Sequence, residues 1–301
     1  MQGVIPEFLK EKLLKEYGED ITKKILKGYS KKRPTTFRVN TQKTTVDAIK
    51  DKLKSLEINY KEVSWNVNAI ILENAKETDI KELELYDNGE IYMQSLSSMI
   101  PPIILDPKDK ESILDMTAAP GGKTTEMANL SNNKSMITAC EKNKIRAERL
   151  KYNLEKQGAT RVNIMVQDAR RLSDFFSFDK ILLDAPCSGS GTINLNDINL
   201  EKYYTEELVN RSIKTQKELL KKATKIVKSK GEIIYSTCSI LKEENEYILK
   251  EILEKGNLEI VPIDVEKFSG IKLLKVDIPG TMCICPDELH EGFFVAKMRK
   301  K

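Results

Sequence analysis

The chain reads as an α/β protein: a Rossmann-like, doubly wound sheet over about residues 91–301, preceded by a small α+β module at 1–90. Three observations carry that reading. The runs ESILDM, MITAC, NIMV, DKILLDAP and GEIIYSTC are short and apolar, as suits strands buried on both faces. Helical stretches at 122–131, 143–157 and about 205–229 lie among them, the alternation of βαβ units. Upstream of residue 90 the pattern is mixed instead.

In that upstream part, helical stretches at 6–17 and 19–28 lead into TTFRVN, whose alternation predicts a strand. A helix at about 45–56 and two strand-like runs, INYKEVSW and NAIILE, follow. The turn signal Asp87-Asn88-Gly89 closes the module. The tail from about 258 holds two further strand candidates, GFFVAKM being the clearer.

Composition narrows the function classes. Hydrophobic residues at 40% and charged residues at 32% of 301 fit a soluble globular chain. No apolar run is long enough for a membrane span, and MQGVIPEFLKEKLLKEYGED carries Glu and Lys where a signal peptide is apolar, so a cytoplasmic protein is expected. Five scattered cysteines argue against a disulfide framework and leave fillers, metal ligands or catalytic thiols. A net charge of +4 says little about partners. Its clusters are Lys31-Lys32-Arg33 with Arg38, and Lys221, Lys222, Lys225, Lys228 and Lys230 on one expected helix, the second reading most simply as a solvated face.

The first strand of the doubly wound part runs into Thr117-Ala118-Ala119-Pro120-Gly121-Gly122-Lys123. Small residues and two glycines let a backbone approach a ligand, and the next helix offers free N–H groups. The spacing matches neither the dinucleotide fingerprint nor a phosphate loop, so phosphate binding is not expected of Lys123. Glu141 closes the second strand, where a carboxylate accepts from ribose hydroxyls, and Asp168 follows the third, within reach of an adenine amino group. Arg146, one turn past Glu141, reads equally as a surface salt bridge. Together these describe a nucleoside ligand with no phosphate requirement, a description that S-adenosylmethionine fits.

The fourth strand ends in Asp184-Ala185-Pro186-Cys187 and the fifth in Ser236-Thr237-Cys238. Neighbouring strand ends bring two thiols and a carboxylate to one crevice. Either cysteine alone reads more simply as a small buried hydrophobe. Methylation of carbon 5 of a pyrimidine needs the set: a thiolate adds to carbon 6, an acid stabilises charge at N3, and a base removes the carbon-5 proton. A Cys also replaces the Asn/Asp-Pro-Pro-aromatic turn used on amino groups. Cys140 falls inside a strand and reads as core. Cys283-x-Cys285 with His290 shows no fourth ligand, so no metal is expected.

In this order and spacing, DMTAAPGGKTT, DAPCSGSGT and YSTCS resemble the Fmu/Sun family of RNA cytosine-C5 methyltransferases, with support from RPTTFRVNT, GEIYMQSLSSMIPP and GFFVAKM. The resemblance spans about residues 30–301 and is nearest to compact archaeal tRNA enzymes. It implies a methyltransferase sheet, S-adenosylmethionine as cofactor and RNA, tRNA first, as partner. It also implies Cys238 as nucleophile, Cys187 as the thiol that assists release, Asp184 and Lys123 beside them, and cofactor contacts at Thr117 to Lys123, Glu141, Arg146, Asp168 and Asp184. The chain departs from the family at Thr117, where many members have Cys, and at Cys283-Ile284-Cys285-Pro286-Asp287, where they read Arg-x-x-Pro-His. With no extra RNA-binding domain or obligate protein partner evident, phosphate contacts are expected of Lys31, Lys32, Arg33 and Arg38. The alternatives are ribosomal RNA as substrate, or a non-catalytic RNA-binding assembly factor on the same fold.

Overall fold

A computed structural model describes residues 4–301, so the first three residues of the expected 1–90 module lie outside it. Helix α1 (Glu7–Tyr29) breaks at Gly18, whose φ of 74° is left-handed, giving the two expected stretches. The small sheet follows as β1 (Thr36–Val39), α2 (Val46–Ser55), β2 (Tyr60–Val63), β3 (Asn66–Leu72), α3 (Glu77–Lys81), α4 (Glu84–Asp87) and β4 (Ile91–Met93). Its strands lie in the order β2-β3-β1-β4, all antiparallel.

Two features differ from a module that ends at 90. The turn at Asp87–Gly89 returns the chain into β4, which pairs with β1, so the small sheet is completed beyond it. The apolar face of α1 (Leu9, Leu13, Ile25, Tyr29) packs into the core of the large sheet with Leu220, Tyr235 and Phe294. A local turn signal reports a reversal, and the partner of an amphipathic helix is set by distant residues.

After α5 (Leu96–Leu105) comes β5 (Ser112–Asp115), then α6 (Gly122–Leu130), β6 (Met136–Cys140), α7 (Lys144–Gln157), β7 (Val162–Met165), β8 (Phe178–Asp184), α8 (Leu200–Tyr203), α9 (Glu206–Ile226), β9 (Val227–Thr237) and α10 (Glu246–Leu253). Strands β10 (Leu258–Ile260), β11 (Leu273–Leu274), β12 (Met282–Ile284) and β13 (Phe293–Lys300) finish the chain. The large sheet runs β11-β12-β13-β9-β8-β5-β6-β7, with β10 on β13. It is parallel from β7 to β9 and antiparallel beyond. The chain moves outward from β5 to β7, then returns to start β8 on the other side of β5. That reversal opens a crevice at the carboxyl ends of these strands.

Helix α9 buries Val209, Ser212, Gln216, Leu219, Leu220, Ala223 and Ile226, a three- and four-residue spacing that seats one face on the sheet. It stops at Ile226, so Lys228 and Lys230 lie on β9 rather than on the basic helix expected at 205–229. Lys222 and Lys225 pair with Asp174. Among the described residues no helix is long and apolar enough to cross a membrane.

Arg38 is not the phosphate contact expected of it. β1 is an inner strand; one face fills the small core with Phe37 and Val39, and the other turns toward α6. Arg38, 2% exposed, donates to Gln94 Oε1 at 2.9 Å, to the Gly122 carbonyl at 3.1 Å and to Thr125 Oγ1 at 2.5 Å. Its guanidinium also covers the Tyr92 ring at 4.9 Å. Glu126 lies 4.0 Å from it and accepts from Gln94 at 3.0 Å. This buried knot joins the small sheet to the start of α6. Arg33 is also largely withdrawn, donating to the His290 carbonyl at 2.9 Å.

Burial raises the Glu126 carboxyl from 4.5 to about 8, against the pull of Arg38. The folded chain therefore holds a proton that the unfolded chain has released across that window, and stability falls as pH rises through it. Glu126→Gln removes the effect. We expect the unfolding free energy of the variant minus that of the native chain to grow by up to about 4 kcal/mol between about pH 5 and 8. Urea titrations at several pH values measure it, and a flat difference contradicts the assignment.

Candidate active site

The glycine-bearing turn is held from beneath by a residue the sequence reading passed over. Asp115, at the end of β5 and 1% exposed, accepts from Thr124 Oγ1 at 2.7 Å and from the Thr117 N–H at 3.3 Å. Burial raises its carboxyl to about 6. Gly121 enters α6 with φ of 110°, a conformation closed to most side chains. Thr117 Oγ1 donates to the Asp184 carbonyl at 2.7 Å, tying the turn to the end of β8. The signal for Asp115 was its place as the last polar residue of an apolar strand.

A cavity of about 250 Å³ opens beside this turn, lined among others by Met116, Thr117, Glu141, Asp168, Asp184, Cys187 and Cys238. The structure thus brings the expected strand-end residues to one crevice. Glu141 is 3% exposed; one carboxylate oxygen accepts from the Asn143 N–H at 2.8 Å, and the other lies 3.6 Å from Arg146. Arg146 also donates to the Ala119 carbonyl at 2.6 Å, so it braces the turn in addition to meeting Glu141. Asp168 is gripped by Arg170 through contacts of 2.6 to 3.1 Å, and the hydrogen bonds from Arg170 hold its carboxyl below the usual range. An adenine amino group meeting Asp168 would share that carboxylate with Arg170, a partner two residues away that the sequence reading missed.

S-adenosylmethionine suits this lining. Glu141 offers a buried carboxylate with acceptor capacity to spare, Ala119 keeps the turn free of bulk, and Met116 and Leu219 supply apolar wall; Gly121 faces Leu150 of α7 instead. Of the turn residues, Thr117 and Ala119 line this cavity, while Ala118, Pro120, Gly122 and Lys123 line an adjoining one of about 220 Å³ with Tyr92 and Ser98.

Beyond the cofactor lining, the reactive groups meet. Cys187 Sγ and Cys238 Sγ are 3.0 Å apart. The hydrogen bond with Cys238 and then burial push the Cys187 thiol well above its ordinary range. A thiol pushed up in this way suits Cys187 to carry a proton beside its neighbour. Lys123 Nζ contacts Asp184 Oδ2 at 2.7 Å and donates to Ser98 Oγ at 2.7 Å, while Ser236 Oγ donates to Asp184 Oδ1 at 2.8 Å. Burial works against the Lys123 ammonium, but Asp184 outweighs it and the charge is held. The arrangement offers two sulfurs in contact and a charged pair on one crevice.

Of the remaining cysteines, Cys140 lines the same cavity with its thiol tied to backbone, and the other two lie away from it. Cys140 donates to the Gln167 carbonyl at 3.0 Å, and Cys283 and Cys285 are buried in the large core. His290 caps Asp287, which accepts the His290 N–H at 2.7 Å.

Comparison with known proteins gives the family. The family described as 16S rRNA methyltransferase RsmB/F matches residues 102–299, and a ferredoxin-like domain described as RsmF/B-like matches residues 5–79. The chain is 32% identical to a tRNA (cytosine(49)-C(5))-methyltransferase of Pyrococcus abyssi, over 95% of this chain and 98% of the relative. It is 32% identical to a 28S rRNA (cytosine-C(5))-methyltransferase of Mus musculus over 98% of its own length, but spans only 38% of that protein. A solved methyltransferase homologue from Pyrococcus horikoshii superposes with a TM-score of 0.85 at 31% identity, covering 99% of this chain and 96% of that one.

Alkylation tests the distinction among the thiols. At about pH 7.5, iodoacetamide is expected to modify Cys238 ahead of Cys140, Cys283 and Cys285. Burial raises Cys140 to about 12 and Cys285 to about 11, and raises Cys283 as well. Peptide mass spectrometry over time gives the order, and earlier labelling of any of those three contradicts it.

Proposed function

The chain belongs to the family described as 16S rRNA methyltransferase RsmB/F, and on that premise we propose that it methylates carbon 5 of cytosine in RNA, using S-adenosylmethionine, with tRNA as substrate. The observation that carries the reading is the pair of thiols 3.0 Å apart beside the joined Lys123 and Asp184. A non-catalytic scaffold has no use for that cluster. Similarity along nearly the whole of a relative named for tRNA supports the choice of substrate. Ribosomal RNA is the second reading, favoured by the relative named for 28S rRNA, of which this chain spans 38%. An RNA substrate goes with action in the cytoplasm. Residues 1–90 and the exposed Lys31 and Lys32 supply phosphate contacts, which carry affinity without sequence preference.

In this reading Cys238 Sγ adds to carbon 6 of the cytosine, and the electron pair of the 5,6 double bond moves into the ring toward N3. The Lys123 ammonium, held in place by the Asp184 carboxylate at 2.7 Å, meets that charge with a positive field. The addition makes carbon 5 nucleophilic, and the bound cofactor supplies an electrophilic methyl group there. The Asp184 carboxylate, on the same cavity as both sulfurs, takes the carbon-5 proton; the C–H pair re-forms the 5,6 double bond and the sulfur–carbon bond breaks with its pair on Cys238 Sγ. Cys187, protonated and in contact with the leaving sulfur, supplies the proton that lets it depart. Glu141 would hold the cofactor through its ribose, with Thr117, Ala119, Arg146, Asp168 and Asp184 lining the rest.

Labelled cofactor with separate tRNA and ribosomal RNA pools, followed by nucleoside mapping, tests the proposal. Label is expected in 5-methylcytosine of tRNA. Cys238→Ala is expected to abolish it and Cys187→Ala to accumulate a covalent protein–RNA adduct; full activity in Cys238→Ala rejects the mechanism. Calorimetry adds a check on the cofactor side. Glu141→Ala is expected to weaken S-adenosylmethionine at least tenfold, about 1.4 kcal/mol, and unchanged affinity removes Glu141 from the site.

A further inference from the structure

The run Glu243-Glu244-Asn245-Glu246 follows the Cys238 loop and has no part in the chemistry described above. Glu244 is 0% exposed, an expensive place for a carboxylate unless its oxygens are fully used. One oxygen accepts from the Ser188 N–H at 2.8 Å and from Gln216 Nε2 at 3.1 Å. The other accepts from Ser188 Oγ and from Ser239 Oγ, each at 2.6 Å. Ser188 follows Cys187 in the chain and Ser239 follows Cys238. Gln216 also donates to the carbonyl of Pro186, the residue before Cys187, at 2.9 Å. Cys187 is therefore bracketed on both sides by groups that end at one carboxylate, and the same carboxylate reaches the residue after Cys238.

We propose that Glu244 is a positioning residue that sets the separation of the two thiols by anchoring the loop behind each of them. Its own place is fixed independently of those loops: Tyr235 Oη, on β9, donates to the Glu244 carbonyl at 2.6 Å. A second set of bonds closes the frame. Ser190 and Ser239 share a hydroxyl contact at 2.7 Å, and the Gly191 N–H donates to the Cys238 carbonyl at 2.9 Å. Gly191 can do this because it is Gly; a Cβ there would lie 1.9 Å from the Gly292 carbonyl oxygen. The carboxylate spans two loops whose reactive members are 51 residues apart. An apolar residue of the same volume would fill the space and leave both loops untied.

The inference rests on the reaction proposed above, so its test includes a readout that needs no RNA. Diamide takes two hydrogens from a close thiol pair and is reduced to its hydrazine, leaving a disulfide; the rate of Cys187–Cys238 disulfide formation thus reports how the sulfurs are held. In the full chain, Ser239→Ala and Ser188→Ala are each expected to slow that rate about tenfold, an effect well above the twofold scatter of surface changes. With RNA present, Ser239→Ala is expected to slow adduct formation, and Ser188→Ala to slow release so that adduct accumulates. Cofactor affinity should stay near native in both, while the melting temperature falls by a few degrees as each loses a buried donor. Glu244→Gln is expected to retain both rates within about threefold, because its amide oxygen accepts from Ser188 N–H and Gln216 while its NH₂ donates to the two hydroxyls. Glu244→Ala should lose both; if it fails to fold, the serine variants carry the test. Native disulfide and adduct rates in the serine variants overturn the proposal, as does a Gln variant as impaired as the Ala variant. A native chain that makes no 5-methylcytosine, yet whose disulfide rate depends on Ser188 and Ser239, rejects the proposed reaction and leaves the positioning role standing.

Discussion

The parallel register between β8 and β9 is the constraint on which the site depends. Asp184 stands opposite Ser236, and the Ala185 N–H donates to the Ser236 carbonyl at 2.8 Å. From that pairing the two strands leave the sheet side by side, one carrying Cys187 and the other Cys238. A slip of one residue would turn every side chain on β9 to the opposite face. It would separate the thiols and withdraw the Ser236 hydroxyl from Asp184. The register is held by apolar residues, with Ile181, Leu182 and Leu183 facing Ile233, Ile234 and Tyr235, all fully buried. Burial of that kind supplies the stability against which the polar residues at the strand ends are set.

Those polar residues are unusual for a core. Asp115, Glu126 and Glu244 are carboxyls with almost no contact with water, and burial raises the pKa of each. Each is tolerated because donors converge on it: threonine and backbone at Asp115, glutamine and arginine near Glu126, two serines at Glu244. Asp115 and Glu244 each hold a loop of the crevice, and Glu126 helps to join the small sheet to α6. A cavity that must hold a cofactor, a base and two sulfurs in fixed relation needs its loops stiffened, and a satisfied buried carboxylate does this at the cost of stability.

Much of this was legible in the chain. The apolar runs gave the five parallel strands because burial on both faces leaves few polar residues to confuse the pattern. The glycine-bearing turn and the two Cys motifs stood out because their chemistry is local. What was not legible depends on contacts between distant segments. Alternation in TTFRVN predicted β1, but nothing local says that α6 lies behind Arg38, so a buried arginine looked like a surface cation. The turn at Asp87–Gly89 reads the same whether it ends a domain or returns a strand. Asp168 was found by its strand-end position, while the grip of Arg170 required the side chains. Glu244 sits in a run of charges that resembles any solvated helix start.

The central claim is that Cys238, and not its neighbour, forms the bond to the base. RNA carrying 5-fluorocytidine at the target position tests it most directly, because a fluorine at carbon 5 cannot leave as a proton and the adduct is trapped. After incubation with S-adenosylmethionine, nuclease and protease digestion and mass spectrometry identify the peptide that bears the nucleotide. The account predicts the peptide containing Cys238. A nucleotide on the peptide containing Cys187, or no covalent product at a site that is otherwise methylated, would contradict it.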